Sequence, residues 1–386
     1  MFLNSECAFR NGVFCKIKFY CKINAVHCAM AGVLIDRQEE SRKRKVRASV
    51  EASQQKKIPK TDRAIVSLSY LAQDERRCTS FTGFPPAILT QFLAEFSTVL
   101  QPDSAYGAGR RSSQSADIRG IFVLNHFRNA PSLSTSSILF GLDRSTLDRI
   151  LNSLIPRLLT EIRVMSFAFS YQHMSTPFEF FPDCFAAVDC TFVPHPHPPG
   201  LSFEQAKNYY SVKHGAYGYK WLAIVNSRGE CLFVSDMFPA GTHDFAMCIH
   251  ETVFPHVQRI TGPNRILGDK GFVGLQNRVG AIIPIKRVLS RELSIDEREL
   301  NLKIAKSRIL VENFFGRLKV VWSLFAGNSN IHVQHLNDRF LLAVHLTNFH
   351  IRHMPLRNKS KEFDVVENEM LPDEFAASPN EITEEQ

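Results

Sequence analysis

The chain has 386 residues, of which 44% are hydrophobic and 22% charged, and it carries a formal net charge of +8. This length and composition suffice to bury one large core and a smaller one, so we expect two folded domains with disordered ends. The charge favours an anionic partner such as nucleic acid, although an ordinary basic protein would carry it too. No apolar run approaches the roughly 20 residues of a membrane span. The nine scattered cysteines, without a C-x-x-C pair, indicate a reduced intracellular compartment.

The two ends of the chain differ in charge. Residues 1–60 are predicted to form a disordered or basic segment, whose run 42–47 is typical of a nuclear import signal or a phosphate contact. A solvated charge run is the alternative, but this run is our reason for predicting a nuclear localisation. Residues 356–386 are acidic and predicted to form a disordered tail. A zinc site is not predicted near the N-terminus, because the spacing of its candidate ligands fits no common zinc motif: Cys15, Cys21, His27 and Cys28.

Residues 61–165 are predicted to be a helical region. Its first part contains one good helix candidate, at 87–100. An apolar stripe that starts at Ile118 recurs at helical spacing and predicts a further helix. Ser134 or Ser136 is placed to cap a short second helix after it.

A third helix is predicted to begin at Asp143 or Arg144. It would expose Arg144 and Arg149. Its inward side chains would be Leu147, Ile150, Leu151 and Leu154. Together the three helices, residues 117–162, form a pattern typical of a small all-α helix-turn-helix domain, whose exposed helix enters the major groove of DNA. A three-helix packing unit without DNA contact is the alternative.

Residues 180–355 are predicted to form an α/β domain. The hydrophobic patterns indicate strands at 185–193, 218–226, 231–238, 265–269 and 281–286, and helices at 244–256 and 296–325. An antiparallel meander of three strands, followed by a helix and another strand, indicates a ribonuclease-H-like mixed sheet with flanking helices. In that layout the ends of the first and fourth strands lie side by side, and a later helix packs close to both.

Three acids fall on these elements at positions that would converge. Asp189 lies in the first strand, Asp269 ends the fourth, and Glu312 lies on the long helix. Arg308 and Lys319 share the face of Glu312 and would hold a phosphate backbone there. Phosphodiester cleavage needs an activated water and a stabilised leaving oxygen, which two Mg²⁺ ions roughly 4 Å apart supply together. Because Mg²⁺ prefers oxygen ligands, convergent carboxylates indicate a metal-dependent DNA-cutting site.

Each aspartate also has a purely structural alternative, and Glu297 and Glu299 on the same predicted helix are the alternatives to Glu312. Asp189 would then cap a turn at a strand end, and Asp269 would stabilise the turn from Gly268 to Gly271. Glu312 is expected to be half-buried, because its neighbours on the helix are apolar. An unneeded glutamate would be penalised at such a position.

The order of these motifs resembles a known family. Val-Asp-Cys-Thr around Asp189, Gly-Asp-Lys-Gly-Phe around Asp269 and Arg-x-x-x-Glu-x-x-x-x-x-x-Lys from Arg308 resemble the DDE superfamily of transposase nucleases. The resemblance is closest to the PIF/Harbinger type and its domesticated derivatives, and it extends over about residues 115–355. Ala305 stands where related bacterial transposases often have a tyrosine, which affects only an auxiliary phosphate contact.

The resemblance implies roles for these residues. Asp189, Asp269 and Glu312 would be the catalytic residues and the ligands of divalent metal, Mg²⁺ or Mn²⁺. The residues expected to bind DNA are Arg308, Lys319 and Lys213, together with Arg144 and Arg149 of the helix-turn-helix. The implied activity is cleavage at transposon ends, followed by attack of the 3′ hydroxyl on target DNA. Relatives of this type commonly act with a separate Myb-like DNA-binding protein and pair two DNA ends, so such a partner and a homo-oligomer are expected.

Two other functions remain open from the sequence. A domesticated protein would keep the fold and bind DNA or a protein without cutting, because an intact triad is necessary for cleavage and not sufficient. A metal-dependent hydrolase would use imidazole and carboxylate ligands instead, with candidates His195, His197, His214, His243 and Asp244. Prolines around His195 and His197 favour an extended surface loop, and Asp244 is expected to cap a helix beginning at Phe245.

Overall fold

The computed structural model describes residues 66–101, 114–172, 176–198, 200–262, 264–287, 291–327 and 331–356. The predictions for residues 1–60, including the basic run and the cysteines, lie outside these residues, as does the acidic tail from 357 onward. Within the described ranges, no helix is both long enough and apolar enough to span a membrane.

The first part of the described chain is made of short helices: α1 (Leu68–Leu71), α2 (Glu75–Thr82), α3 (Pro86–Glu95) and α4 (Ser97–Leu100). Asp74 starts α2 by accepting the N–H of Arg77, and Gly83, with φ of +83°, ends it. The single helix predicted at 87–100 is two helices, because Phe96 departs from helical geometry between them.

The predicted helix-turn-helix region contains three helices: α5 (Ala116–Asn129), α6 (Leu133–Phe140) and α7 (Arg144–Gln172). The cap of α6 is Ser132, whose Oγ accepts the N–H of Thr135, so the prediction of Ser134 or Ser136 was wrong. The helix begins early because α5 ends at Ala130 in a left-handed conformation, and the chain re-enters a helix almost at once.

Burial within these three helices is more extensive than the sequence predicts. α5 is buried on nearly all sides from Ile121 to Phe127, instead of along one stripe, because α2, α4 and α7 pack around it. On α7 the four side chains predicted to face inward are buried, and Arg144 and Arg149 are exposed. α7 also continues past the predicted end at 162. DNA contact by this region stays a prediction.

One mixed sheet contains the strands of the described chain: β1 (Cys184–Pro194), β2 (Tyr210–Ser211), β3 (Ala216–Asn226), β4 (Cys231–Val234), β5 (Phe238–Pro239) and β6 (Arg265–Leu267). β3 pairs antiparallel with β1 and with β4, while β6 pairs parallel with β1. The resulting order β4-β3-β1-β6 contains the predicted meander and places β6, the predicted fourth strand, beside the first, with the two running parallel. A mixed sheet with flanking helices in this order is consistent with a ribonuclease-H-like fold.

Two predicted elements are divided in the structure. The strand predicted at 231–238 is split into β4 and β5, since Ser235 turns its Oγ to accept the N–H of Leu222. The helix predicted at 244–256 is split into α9 (Asp244–Cys248) and α10 (Phe254–Thr261). Pro255 explains the second division, because proline fits the first turn of a helix and not its interior.

A third predicted element is nearly absent. The strand predicted at 281–286 is reduced to one parallel bridge between Ile282 and Leu267. Pro284 follows and has no N–H with which to extend the pairing.

The remaining helices are α8 (Phe203–Ala206), α11 (Gln276–Val279), α12 (Ile295–Val321) and α13 (Val333–His353), with short 3₁₀ segments at Lys207–Tyr209, Lys270–Phe272 and Ser323–Phe325. α12 starts with a capping box of Ser294 and Glu297 and ends before the predicted 325. α13 was not predicted. It is buried on every side from Arg339 to Ile351, so it has no polar face to reveal a helical period.

The sheet separates two hydrophobic clusters. On one side Ala187, Trp221 and Ala223 pack with the long helices α7, α12 and α13. On the other side Val188 and Leu222 pack with α9, α10 and α11. Successive residues of β1 and β3 therefore face opposite layers, and this alternation decides which layer each polar side chain at the strand ends meets.

Candidate acidic site

Asp189 on β1 and Asp269, just after the neighbouring parallel strand β6, lie level with each other. β1 and β6 pair Ala187 with Leu267, and each acid stands two residues beyond its member of that pair. Adjacent strands are about 4.8 Å apart. The register therefore brings the two predicted catalytic aspartates to the same edge of the sheet, next to each other.

The Asp189 carboxylate is held on both of its oxygens. Oδ1 accepts the N–H of Cys190 at 2.8 Å, and Oδ2 lies 3.4 Å from the guanidinium of Arg308, which projects from α12. Burial is the main cause that raises the pKa of Asp189 to about 6; the negative charges of Asp269 and Asp244 act in the same direction, and Arg308 and the Cys190 N–H act against them. Asp189 is therefore a desolvated acid whose counter-charge does not fully compensate it.

Asp269 is fixed by the turn that follows β6. Its Oδ1 accepts the N–H of Gly271 at 2.7 Å, so this acid does stabilise the turn, as the structural alternative expected. Oδ2 makes no hydrogen bond within the described part of the chain. A Cβ at Gly271 would lie 2.9 Å from Asp269 Oδ1 and 2.8 Å from Asp244 Oδ2. Glycine at this position therefore lets two carboxylates approach one point.

Asp244 is the acid that the sequence analysis assigned wrongly. It is the first residue of α9, whose N-cap is His243, so it does not cap a helix beginning at Phe245. Its Oδ1 instead accepts a short hydrogen bond from Nζ of Lys220 on β3. The pairing was missed because it depends on the packing of α9 against the sheet. The available signal was Lys220 itself, a lysine near the start of a strand that is otherwise apolar.

Glu312 stands apart from the two aspartates. Contacts on either side of it attach α12 to β1: Arg308 pairs with Asp189, and Lys319 Nζ donates to the carbonyl of Phe192 at 3.0 Å. The Glu312 side chain is exposed and makes no hydrogen bond or ion pair with the described residues, so the expected half-buried position was wrong. Its apolar neighbours fill the core while the helix turns this position outward. Its catalytic assignment stays a prediction.

Basic groups gather where β1 ends. The ring of His214 stacks on Phe192, with centroids 4.4 Å apart. Burial lowers the pKa of His214, and the nearby charges of Lys213, Lys319 and Lys220 lower it further, which places these cations close together. Lys213 is exposed in the turn before β3. Of the predicted DNA contacts, Lys213 and Lys319 thus lie in one cationic cluster next to the acids.

The other predicted DNA contacts lie elsewhere. Arg308 is buried against Asp189, so its guanidinium serves an acid of the site; a phosphate contact by Arg308 stays a prediction. Arg144 and Arg149 are exposed at the start of α7. Arg149 bonds the carbonyl of Ser145 and the hydroxyl of Thr146 on its own helix.

The histidines of the alternative hydrolase site have separate environments. His195 places its ring nitrogens against the carbonyls of Pro196 and Ile331, at 3.1 and 2.8 Å. The His197 ring packs on Tyr217, and His214 packs on Phe192. Among the described residues, no three side chains of His, Cys, Asp or Glu are grouped so as to hold a metal ion. The histidine-based site therefore has no support in the structure.

The adjacent carboxylates of Asp189 and Asp269 nevertheless fit a divalent cation. Asp189 and Asp269 are adjacent carboxylates, and repulsion between them contributes to the raised pKa of Asp189. Carboxylate oxygens are the ligands that Mg²⁺ prefers, and Mg²⁺ commonly uses only one or two of them while it keeps several waters. Asp189 and Asp269 are the residues that would hold it.

One comparison with known proteins agrees with this geometry. No curated protein and no solved structure matches the chain. Asp189, Asp244, Asp269 and Glu312 all lie in a segment, less than half of the chain, that matches a family model. Residues 188–348 match the model of the DDE superfamily endonuclease family, which supports a transposase-like nuclease of the DDE superfamily.

Proposed function

We propose that this protein is a metal-dependent DNA endonuclease of the PIF/Harbinger type that cuts phosphodiester bonds at transposon ends. The observation that carries the proposal is the register of β1 and β6, which sets Asp189 and Asp269 level within the segment that matches the endonuclease family. Mg²⁺ or Mn²⁺ would be the cofactor. Glu312 lies on α12, which packs against β1, and is the third catalytic acid in this proposal.

The residues of the site have different roles in this proposal. Arg308 and the Cys190 N–H orient Asp189, while the Gly271 N–H orients Asp269. When bound, divalent ions would activate the attacking water and stabilise the departing 3′ oxygen. The Glu312 side chain is exposed and has no hydrogen-bond or ion-pair partner among the described residues, so it can turn towards the site when substrate and metal are present.

DNA binding is assigned to the cations around the acids. The exposed Lys213 and the half-buried Lys319 would contact phosphates beside the scissile bond. Arg308 would contribute to the same backbone contact from α12. Arg144 and Arg149, exposed on α7, would bind DNA away from the acids as part of a helix-turn-helix.

The same proposal covers the biological setting. The enzyme would act in the nucleus on transposon ends and transfer the 3′ hydroxyl to target DNA. It would work as a homo-oligomer that pairs two ends, with a separate Myb-like protein that recognises the DNA sequence.

The test is nicking of supercoiled plasmid by the purified full chain with Mg²⁺ or Mn²⁺. The unmutated protein is expected to nick DNA and to stop when EDTA is added, while Asp189→Asn, Asp269→Asn and Glu312→Gln reduce nicking to background. Glu299→Gln is the matched control for Glu312→Gln, since Glu299 is an exposed acid on the same helix and is paired with Lys303. Equal nicking by all variants would reject the assignment of the acids.

A DNA-binding protein that does not cut is the second candidate. The exposed position of Glu312, without contact to the aspartates, favours it. This candidate predicts that the full chain binds duplex DNA while neither it nor the variants nick plasmid in any metal. Nicking that depends on Asp189 would exclude it.

A further inference from the structure

Lys220 and Asp244 form an ion pair directly beside the proposed catalytic acids. Nζ of Lys220 donates to Asp244 Oδ1 and, at 2.9 Å, to the carbonyl of Thr242. The two side chains are only 16% and 25% exposed, so solvent screens the pair less than it screens surface pairs of this protein. Neither residue is assigned a part in the reaction proposed above.

The sheet explains why a lysine stands there. Lys220 alternates with Trp221, so it shares the side of Leu222, where α9 packs. The pairing of Lys220 with Phe192 in the register of β1 and β3 places it near the same end of β1 as the cationic cluster. An ammonium in this largely apolar layer requires a counter-ion, and α9 supplies it from its first residue.

Asp244 connects that lysine with the turn of Asp269. Its Oδ1 bonds Lys220, while its Oδ2 faces Gly271, from whose N–H Asp269 Oδ1 accepts a hydrogen bond. Asp244 is also close enough to Asp189 to raise the pKa of that acid. Asp244 is thus a third aspartate near the turn that follows β6. Lys220, a residue of the same chain, partly neutralises its charge.

The pair determines what the Lys220 ammonium is free to do. Its side chain is a flexible four-carbon stem with three donors. Without Asp244 the ammonium would be free to turn to Asp269, whose Oδ1 faces the same Gly271 as Asp244 Oδ2, and there it would compete with a divalent cation. With Asp244 in place, the ammonium is held at Oδ1 and at Thr242.

We propose that Asp244 is a positioning residue for the acidic site, which acts by keeping Lys220 away from Asp269 so that Asp269 and Asp189 remain available to metal. This inference rests on the proposed function, because it assumes that Asp189 and Asp269 bind the cation. It adds to that function a residue pair that sets metal affinity without touching the reacting atoms.

The test is the affinity of the full-length protein for Mn²⁺, measured by isothermal titration calorimetry on Asp244→Asn, Lys220→Met and the double variant. Asp244→Asn is expected to weaken Mn²⁺ binding by about 10-fold to 100-fold, as the loss of supporting residues commonly does. Lys220→Met is expected to bind Mn²⁺ at least as tightly as the unmutated protein. The double variant is expected to recover most of the affinity that Asp244→Asn loses, because the competing ammonium is gone.

A purely structural brace gives a different pattern. In that case Lys220→Met and Asp244→Asn weaken binding alike and the double variant is no better, which would overturn the proposal. Glu204→Gln, with and without Lys207→Met, is the matched control, since that exposed pair is joined at 2.7 Å in the same way, and it should leave Mn²⁺ affinity unchanged. Thermal unfolding in EDTA verifies that each variant is folded.

Two further outcomes separate this inference from the proposed function. If Asp244→Asn does not fold, Lys220→Met still decides, because weaker Mn²⁺ binding by that variant contradicts the proposal. If the unmutated protein neither binds Mn²⁺ nor nicks plasmid, the proposed function fails and this inference falls with it. If the unmutated protein does both and the double variant shows no recovery, only the positioning role of Asp244 is rejected.

Discussion

In the acidic site the partly buried carboxylates of Asp189 and Asp244 lie beside cations, whereas in α5 and α13 the buried histidines have a much lower pKa than usual. Asp189 is paired with Arg308 and Asp244 with Lys220. Burial, together with the smaller effect of the nearby charges of Arg339 on His126 and of Arg163 on His345, lowers the pKa of both histidines to about 3. These buried histidines are thus uncharged at neutral pH, while the carboxylates of the acidic site are paired with cations.

The contrast has a physical reason in what each region must do. A core position needs only to be filled, so a histidine there is most stable without its charge. A site for phosphodiester chemistry needs carboxylates that accept a cation, and these require partners until the cation arrives. Substitutions that remove a partner at the site, or that force a charge into the core, test the two halves of this comparison.

The largest effect is expected from Arg308→Met. It leaves Asp189 without its counter-charge, and loss of one partner of a buried pair costs about 3 kcal/mol or more in the free energy of unfolding. Urea unfolding at neutral pH measures it. Arg298→Met is the control on the same helix, since its pair with Glu292 is exposed at 63% and 70%, and a change below about 1 kcal/mol is expected there. Equal losses in both variants would contradict the special position of Arg308.

The next effect is a loss of stability in acid that originates in the core histidines. The folded-state pKa of His345, about 3, lies below the ordinary 6.5, so the unfolded chain takes up the proton first as pH falls. Its contribution is fully present above pH 6.5 and is lost as the pH falls from 6.5 towards 3, by about 2 kcal/mol at pH 5. Urea unfolding at pH 7 and pH 5 should show this loss, and His345→Gln should reduce it by about that amount. An unchanged pH dependence in the variant would refute the assignment.

A smaller effect on stability, with a larger one on metal binding, is expected from Gly271→Ala. The added Cβ would lie 2.8 and 2.9 Å from the oxygens of Asp244 and Asp269, so both carboxylates must move apart. The strain is about 1 kcal/mol, because the displaced atoms are the ends of side chains. Mn²⁺ titration should reveal weaker binding beside a nearly unchanged urea midpoint. Gly316→Ala is the control, since a Cβ there meets nothing within 4 Å.

The sequence predicts one part of this comparison well and the other poorly. The apolar runs that end at Asp189 and Asp269 predict two strands, and the level placement of the acids follows from their parallel pairing. The Lys220–Asp244 contact joins β3 to the start of α9, which no local pattern specifies. α13 was missed for a related reason, because burial on every side removes the polar face that marks a helix.

The wrong prediction of a half-buried Glu312 has a different cause. Its neighbours Val311, Phe314 and Phe315 are buried as their apolar character predicts. Their burial does not determine whether the side chain of Glu312 is buried too. A helix advances 100° per residue, so a residue next to three buried ones can still face solvent. Apolar neighbours therefore predicted the helix face correctly and the environment of the acid wrongly.

The smallest effect on stability is expected from Glu312→Gln, and it sharpens the comparison most. Glu312 is exposed and has no partner among the described residues, so its removal should change the free energy of unfolding by less than about 0.5 kcal/mol. Plasmid nicking by the same variant should nevertheless fall to background. A large stability loss would mean that Glu312 has a structural partner after all, and retained nicking would leave Asp189 and Asp269 as the whole acidic site. Only loss of nicking at constant stability separates an acid kept for catalysis from the paired acids Asp189 and Asp244.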